Sequence, residues 1–323
     1  MHGFDEDLRQ WGPENSVREP PSLAEAEAYC RRLALKHYEN FPVLSWSLPR
    51  TQRQAFANIY AWCRWADDLA DEVESPERST QLLCWWRKQL TDCYAGDVKH
   101  PVLVALEPTI AQFKIPPQPF EDLISAFEQD QRVTHYETFT ELHDYCRGSA
   151  NPVGRLVLHV CGRHFSENLG WSDSVCTGLQ LANFWQDVAR DAEMGRVYLP
   201  REDCERFGYT AADLGQRIAN QAFADLMRFQ IERARGFLYA GLPLVGQMPG
   251  RLQLAIDLFA RGGLRILDKA DAIGFRLWEQ RPVLGKLDVL ALSCQCIARS
   301  LRRRADLLQR RLHPATDGAA PTP

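Results

Sequence analysis

From Ser22 onward, apolar residues recur every three to four positions with little interruption, and Leu and Ala far outnumber Val and Ile. That period and that composition predict helix over strand. Helices are expected near 23–38, 52–73, 76–94, 101–113, 120–131, 139–164, 173–192, 220–240, 251–279 and 286–311. Their starts carry chemical marks. Ser22-x-x-Glu25, Thr51-x-x-Gln54 and Thr138-x-x-Glu141 have capping-box spacing, and Ser75-Pro76 and His100-Pro101 read as an N-cap followed by a first-turn proline. Pro116-Pro117-Gln118-Pro119 is a break. Pro152, after Asn151, kinks or interrupts the helix around it, because it removes an amide donor. No repeat, hairpin alternation or linker separates 22 from 312, so one all-α domain is expected there. Residues 1–21 are polar and aperiodic and are expected to form a flexible lead-in; 313–323, rich in Ala, Pro and Thr, is expected to be a disordered tail.

Composition narrows the function classes. A chain of 323 residues buries enough surface to fold without disulfides or a structural metal. A net charge of −4 argues against nucleic-acid binding, which needs a basic footprint. No apolar run approaches the ~18 residues of a membrane-spanning helix. The acidic start, Asp5-Glu6-Asp7, does not read as a secretory signal. Ten scattered cysteines without a CxxC pair read as buried reduced thiols of a cytoplasmic protein. His159-x-Cys161-x-x-His164 does not read as a zinc site, since those positions do not share a helix face.

The chemistry concentrates in two segments. In Asp67-Asp68-Leu69-Ala70-Asp71, Asp67 and Asp71 stand one turn apart, and Tyr60 and Arg64 extend the same stripe backward. The rest of that helix is apolar and contains Trp62 and Trp65, so the stripe is expected to face an interior cavity and not solvent. Gln180-x-x-Asn183-x-x-x-Asp187-x-x-x-Asp191 repeats the pattern, within about 80° of arc. Like charges at this spacing repel unless a cation relieves them, and carboxylate oxygens suit hard Mg²⁺. Two such stripes facing one another suit a diphosphate whose oxygens share the metal, and the metal would neutralise the leaving diphosphate. The carbocation left behind needs aromatic faces and exclusion of water. Phe41, Trp46, Phe56, Trp62, Trp65, Tyr145, Phe184 and Trp185 are available nearby, and core packing is the commoner use of any one of them.

Together these segments resemble the squalene/phytoene synthase family over about 22–300. The resemblance rests on Tyr60-Ala61-Trp62-Cys63-Arg64 before the first acidic motif, Tyr145-Cys146 followed by Val153-Gly154, Gln180-x-x-Asn183 before Asp187 and Asp191, and Arg196-Val197-Tyr198-Leu199-Pro200. It implies the all-α isoprenoid synthase fold, Mg²⁺ dependence and head-to-head isoprenoid chemistry. By this resemblance Asp67, Asp71, Asp187 and Asp191, with Asn183, hold the Mg²⁺–diphosphate. Arg64, Arg196 and Tyr198 lie near phosphate, and Tyr145 near the reacting carbons. Tyr60, Gln180 and Phe41 complete the substrate contacts.

Three departures look like the bacterial hydroxysqualene synthase subfamily. Gln186 stands where an Arg is usual; Ser149-Ala150-Asn151-Pro152-Val153-Gly154 replaces a small Ala-Gly segment; and the leading segment reads His37-Tyr38-Glu39-Asn40-Phe41-Pro42-Val43-x-Ser45. The resemblance then implies a lyase in the hopanoid route. It would take presqualene diphosphate, made by a presqualene diphosphate synthase, and pass hydroxysqualene to a reductase, with no NADPH spent. Asn151 is expected to hold the capturing water, or else to be a turn residue before Pro152. The rivals are a prenyltransferase making presqualene diphosphate, squalene or phytoene-type products, a catalytically inert scaffold, and a terpene cyclase. Residues 299–312 contain six Arg and one Asp. That helix reads either as a peripheral contact to anionic lipid at the inner membrane surface or as a solvated face.

Overall fold

A computed structural model of the chain describes residues 4–15, 19–36 and 50–312. The expected positions Phe41 and Trp46, the 37–45 segment and the 313–323 tail lie outside the described residues. The elements are α1 Phe4–Trp11, α2 Leu23–Lys36, α3 Arg50–Asp71, α4 Pro76–Tyr94, α5 Pro101–Phe113, α6 Gln118–Asp130, α7 Phe139–Ser149 and α8 Asn151–Val160. They continue with α9 Ser166–Glu193, α10 Arg201–Arg206, α11 Ala211–Gly215, α12 Gln221–Gly241, α13 Leu244–Gln247, α14 Leu252–Ala272 and α15 Lys286–Leu312. Among the described residues, extended pairing is limited to one bridge, His135 with Val197. The fold is therefore all-α.

The caps follow local chemistry. Ser75 accepts the Arg78 amide at 3.2 Å, Thr138 and Glu141 cap one another, and Glu25 accepts the Ser22 amide at 2.9 Å. Buried His100 accepts the Val102 amide at 3.2 Å with a proline next in the chain. Thr51, by contrast, lies inside a helix that begins at Arg50. The expected helix 139–164 is two helices, separated at Ala150 by Pro152. The expected helix 251–279 ends at Ala272, because Gly274 and Phe275 take positive φ values of 64° and 59°.

The N-terminal lead-in differs from expectation. Phe4–Trp11 is helical, and Phe4 meets Trp65 edge-on at 5.2 Å while Trp11 meets His100 at 6.2 Å. Eight residues do not hold a helix in water by themselves. Docking of the Phe4, Leu8 and Trp11 stripe onto the core supplies the missing stability. A sequence window dominated by Asp5, Glu6 and Asp7 hides that stripe.

Two apolar clusters fill the molecule. One gathers α2 to α6 around Trp62, Trp65, Trp86 and Phe120; the other gathers α7, α9, α12 and α14. The 28-residue α9 runs between them and packs on α7, α8, α12 and α14. Its approach to α12 depends on small residues. A Cβ on Gly178 would meet Leu238 Cγ at 2.7 Å and the Leu238 backbone nitrogen at 2.9 Å. Gly178→Ala is expected to lower unfolding free energy by about 1–3 kcal/mol, by overpacking. Denaturant unfolding of the two proteins checks it.

Candidate active site

The end of α3, the end of α6, the end of α7 and the middle of α9 enclose a cavity of about 330 Å³. Asp67 and Asp71 enter from α3, Asp130 from α6, Tyr145 and Ser149 from α7, and Gln180, Asn183, Phe184 and Asp191 from α9; Arg196 and Tyr198 close it from the following loop. Leu123, Ala126 and Phe127 line its apolar wall. Four carboxylates thus share a pocket with amide, hydroxyl and guanidinium groups and with aromatic and aliphatic side chains.

Arg196 reaches its place through backbone geometry. Gly195, at φ 75°, ends α9 in the left-handed conformation. Its amide bonds the Ala192 carbonyl at 3.2 Å, and the Arg196 amide bonds the Asp191 carbonyl at 2.8 Å. This is a Schellman turn, and it reverses the chain over the last turn of α9. The Arg196 guanidinium then bonds Asp71 at 3.0 Å, so a cation of one acidic segment pairs an acid of the other. The Val197 amide bonds the Thr134 carbonyl at 2.8 Å and the Arg201 amide bonds that of Tyr136 at 3.0 Å, strapping this loop to 131–138.

An aromatic group sits beside the acids. Phe184 and Tyr198 stack at 3.8 Å, Tyr145 lies 6.0 Å from Tyr198, and Tyr136 lies 5.5 Å from Tyr145. The Tyr145 hydroxyl donates to Asp130 at 3.0 Å. Burial, reinforced by Asp130, pushes the Tyr145 phenol far above its ordinary range. It therefore stays protonated and acts as a donor.

Burial also lifts the acids. Asp67 is pushed up to about 6, opposed by Arg64 and reinforced by Asp71. Asp130 rises to about 6 and Asp191 to about 7, the latter with help from Asp187. Desolvation of carboxylates near one another produces this direction, and a cation relieves it. The donor set, all carboxylate and amide oxygen, suits a hard divalent cation.

Several expected residues stand elsewhere. Asp187 does not line the cavity. Arg281, from the segment between α14 and α15, grips it with two bonds of 2.5 and 3.0 Å. Asn183 donates to it at 3.0 Å. Gln186 explains how Arg281 gets there, since its amide donates to the adjacent Pro282 carbonyl at 2.6 Å. Tyr60 packs against the core and also lies off the cavity. Arg64 turns along its own helix, bonding Asp67 and Glu72 at 2.9 Å each and pairing with Asp68. Asn151 is a correction to the water-holding expectation. It is 2% exposed and accepts the Thr177 hydroxyl at 2.9 Å, because the helix restarting at Pro152 turns its side chain into the α8–α9 contact. Trp62, Trp65 and Trp185 are core residues.

Asp130, Tyr136 and Arg281 were not singled out from sequence, and Ser149 entered only as the start of a departing segment. Asp130 carried a signal: it ends α6, where the helix dipole disfavours a carboxylate. Arg281 carried none, because only the fold brings it to Asp187.

A cavity lined by acidic, amide, basic and aromatic side chains, set among helices, defines an all-α protein with a mixed polar and apolar pocket. Residues 34–288 match the squalene/phytoene synthase family. The chain belongs to that family. It is 34% identical over 234 residues to phytoene synthase of Arthrospira platensis, covering 68% of this chain and 76% of the relative. The crystal structure of squalene synthase HpnC from Alicyclobacillus acidocaldarius aligns with a TM-score of 0.76 at 39% identity, over 79% of this chain and 97% of that one. A dehydrosqualene synthase aligns with a TM-score of 0.78 at 24% identity, over 87% and 98%, and shares the fold.

The raised acids have a thermal signature. The folded-state value of Asp191, about 7, exceeds the ordinary 3.8, so folding favours its protonated form. That contribution is complete below pH ~4 and is lost as pH rises through about 7. In chelator-containing buffer, Asp191→Asn is expected to raise the melting midpoint on the order of 1–3 °C at pH 8 and to leave it nearly unchanged at pH 4.

Proposed function

We propose that this protein is an Mg²⁺-dependent lyase that converts presqualene diphosphate to hydroxysqualene. One observation carries the choice of reaction. Ser149 lines the cavity with Tyr145 and Gln180, and its hydroxyl oxygen is buried with no hydrogen-bond partner among the described residues. An unmet buried hydroxyl costs about 1–3 kcal/mol. A reaction that ends in water capture brings a partner to that oxygen. The 39% identity to the squalene synthase HpnC structure supports a place on the squalene side of the family.

Asp67, Asp71, Asn183 and Asp191 would hold Mg²⁺ together with the diphosphate. Among the described residues, no three His, Cys, Asp or Glu side chains stand close enough to hold a metal by themselves. That suits an ion that takes its other ligands from water and phosphate oxygens. When bound, the ion neutralises charge on the departing diphosphate. Arg196 adds a fixed positive charge, and Arg281 a second beside Asp187. The C–O bond breaks with its electron pair leaving on diphosphate. Tyr145, Phe184 and Tyr198 offer their faces to the rearranging cation and exclude bulk water, with Tyr136 packed against Tyr145. Water held at Ser149 bonds the cationic carbon and gives up a proton. The firmly protonated Tyr145 does not suit the role of base. Asp130, at about 6 and bonded to the Tyr145 hydroxyl, suits it better, as does the released diphosphate. No reductant is consumed. On this reading the protein works in the cytoplasm, receiving substrate from a presqualene diphosphate synthase and supplying a reductase.

A second reading, prenyl transfer between two prenyl diphosphates, is favoured by the phytoene synthase relatives. Mass spectrometry of products separates the two. Presqualene diphosphate is expected to give hydroxysqualene without NADPH; farnesyl diphosphate is expected to give no presqualene diphosphate or squalene, and finding either refutes the lyase reading.

Two substitutions extend the test. Asp187→Asn is expected to lower turnover by at least about a hundredfold, since it removes a charge that anchors Arg281 beside the second acidic motif. Ser149→Ala is expected to keep diphosphate release while the hydroxysqualene fraction falls. An unchanged product distribution separates Ser149 from water capture.

A further inference from the structure

Large exposed apolar side chains concentrate on α15. Leu287 is 81% exposed, Leu290 60%, Ile297 47% and Leu301 59%, and Cys294 between them is exposed as well. Their spacing of three and four residues puts all five within about 80° of one helix face. Ala291, Ala298 and Ala305, also exposed, widen the stripe on one side. The opposite face is already used. Leu292 and Cys296 are buried; Asp288 is bound by Arg265 at 3.0 Å, Lys269 at 2.7 Å and the Gly285 amide at 2.9 Å; and Arg299 bonds Asp257 at 3.3 Å. The helix is thus anchored by its inner face and presents an apolar outer one.

We propose that this outer face docks on an anionic lipid membrane. The charge beside the stripe selects that occupant. Exposed Lys286 and Arg302 flank it, and residues 300–312 carry five Arg against one Asp in a protein of net charge −4. Such basic side chains snorkel to headgroups while the apolar row enters the boundary beneath them. A second copy of this chain meeting the same face would set Lys and Arg against Lys and Arg, with Asp288 already bonded within its own protein. No helix among the described residues is long and apolar enough to cross a membrane, so the contact lies on the surface. The location fits the family's chemistry. Leu287 follows Arg281 by six residues, which limits its distance from that arginine to about 20 Å. Isoprenoid chains dissolve in a bilayer, so a docked face this near the second acidic segment suits such substrates.

The test is co-sedimentation of the full chain with vesicles of phosphatidylglycerol and phosphatidylcholine, and with phosphatidylcholine alone. The chain is expected to bind the anionic vesicles, less so as salt rises. The triple variant Leu290→Glu, Ile297→Glu, Leu301→Glu is expected to bind at least about tenfold more weakly, with an unchanged melting curve. A second variant, Lys286→Gln with Arg302→Gln, keeps the apolar row and is expected to bind severalfold more weakly with a shallower salt dependence. Absence of binding by the unaltered chain, or equal binding by the triple variant, overturns the proposal. So does sedimentation equilibrium showing a dimer that the triple variant dissociates. Equal binding to both vesicle types overturns the choice of an anionic surface.

Discussion

Carboxylates repel one another, and the repulsion grows as water is withdrawn from between them. This chain brings Asp67, Asp71, Asp130 and Asp191 to one cavity that also holds aromatic and aliphatic side chains. The structure tolerates that crowding only by supplying positive charge. Arg196 bonds Asp71, Arg64 serves Asp67, Asp68 and Glu72, and Arg281 holds Asp187. Three arginines from three parts of the chain therefore balance the two acidic segments. What that balance leaves unmet is the raised protonation of Asp67, Asp130 and Asp191. A cation, alone or paired with a polyanion, would relieve that stress.

The apolar surroundings matter as much as the charge. The Trp62–Trp86 and Trp65–Trp86 pairs, at 6.2 and 5.5 Å, make the α3 end of the site stiff. The Gly178 contact lets α12 press close to α9. Acids borne on helices packed this way cannot relax outward at little cost, since interiors at organic-crystal density transmit strain.

Much of this was legible in the sequence. Asp67 and Asp71, and Gln180, Asn183 and Asp191, could be read because helical periodicity converts spacing into a shared face. The break at Pro152 and the caps at Ser75 and Thr138 could be read because their chemistry is local. What escaped was contact between distant segments. Nothing in the spacing of Asp187 shows that it turns to Arg281, 94 residues away. Nothing near Asn151 shows that Thr177 claims its carbonyl oxygen. The α1 helix escaped for a related reason: its stability comes from Trp65 and His100, far along the chain.

The Schellman turn at Gly195 gives Arg196 and Arg281 different mechanical standing. Arg196 is fastened by its main-chain amide to the helix end that bears Asp191, and its neighbour Val197 is fastened to the Thr134 carbonyl. Arg281 is held to the same helix by the side chains of Gln186 and Asp187. One positive charge is thus welded to the frame and the other is buttoned on. Sequence drift at 186 or 187 would unfasten the second and leave the first in place, so within this family the two positions and Arg281 should change together or not at all.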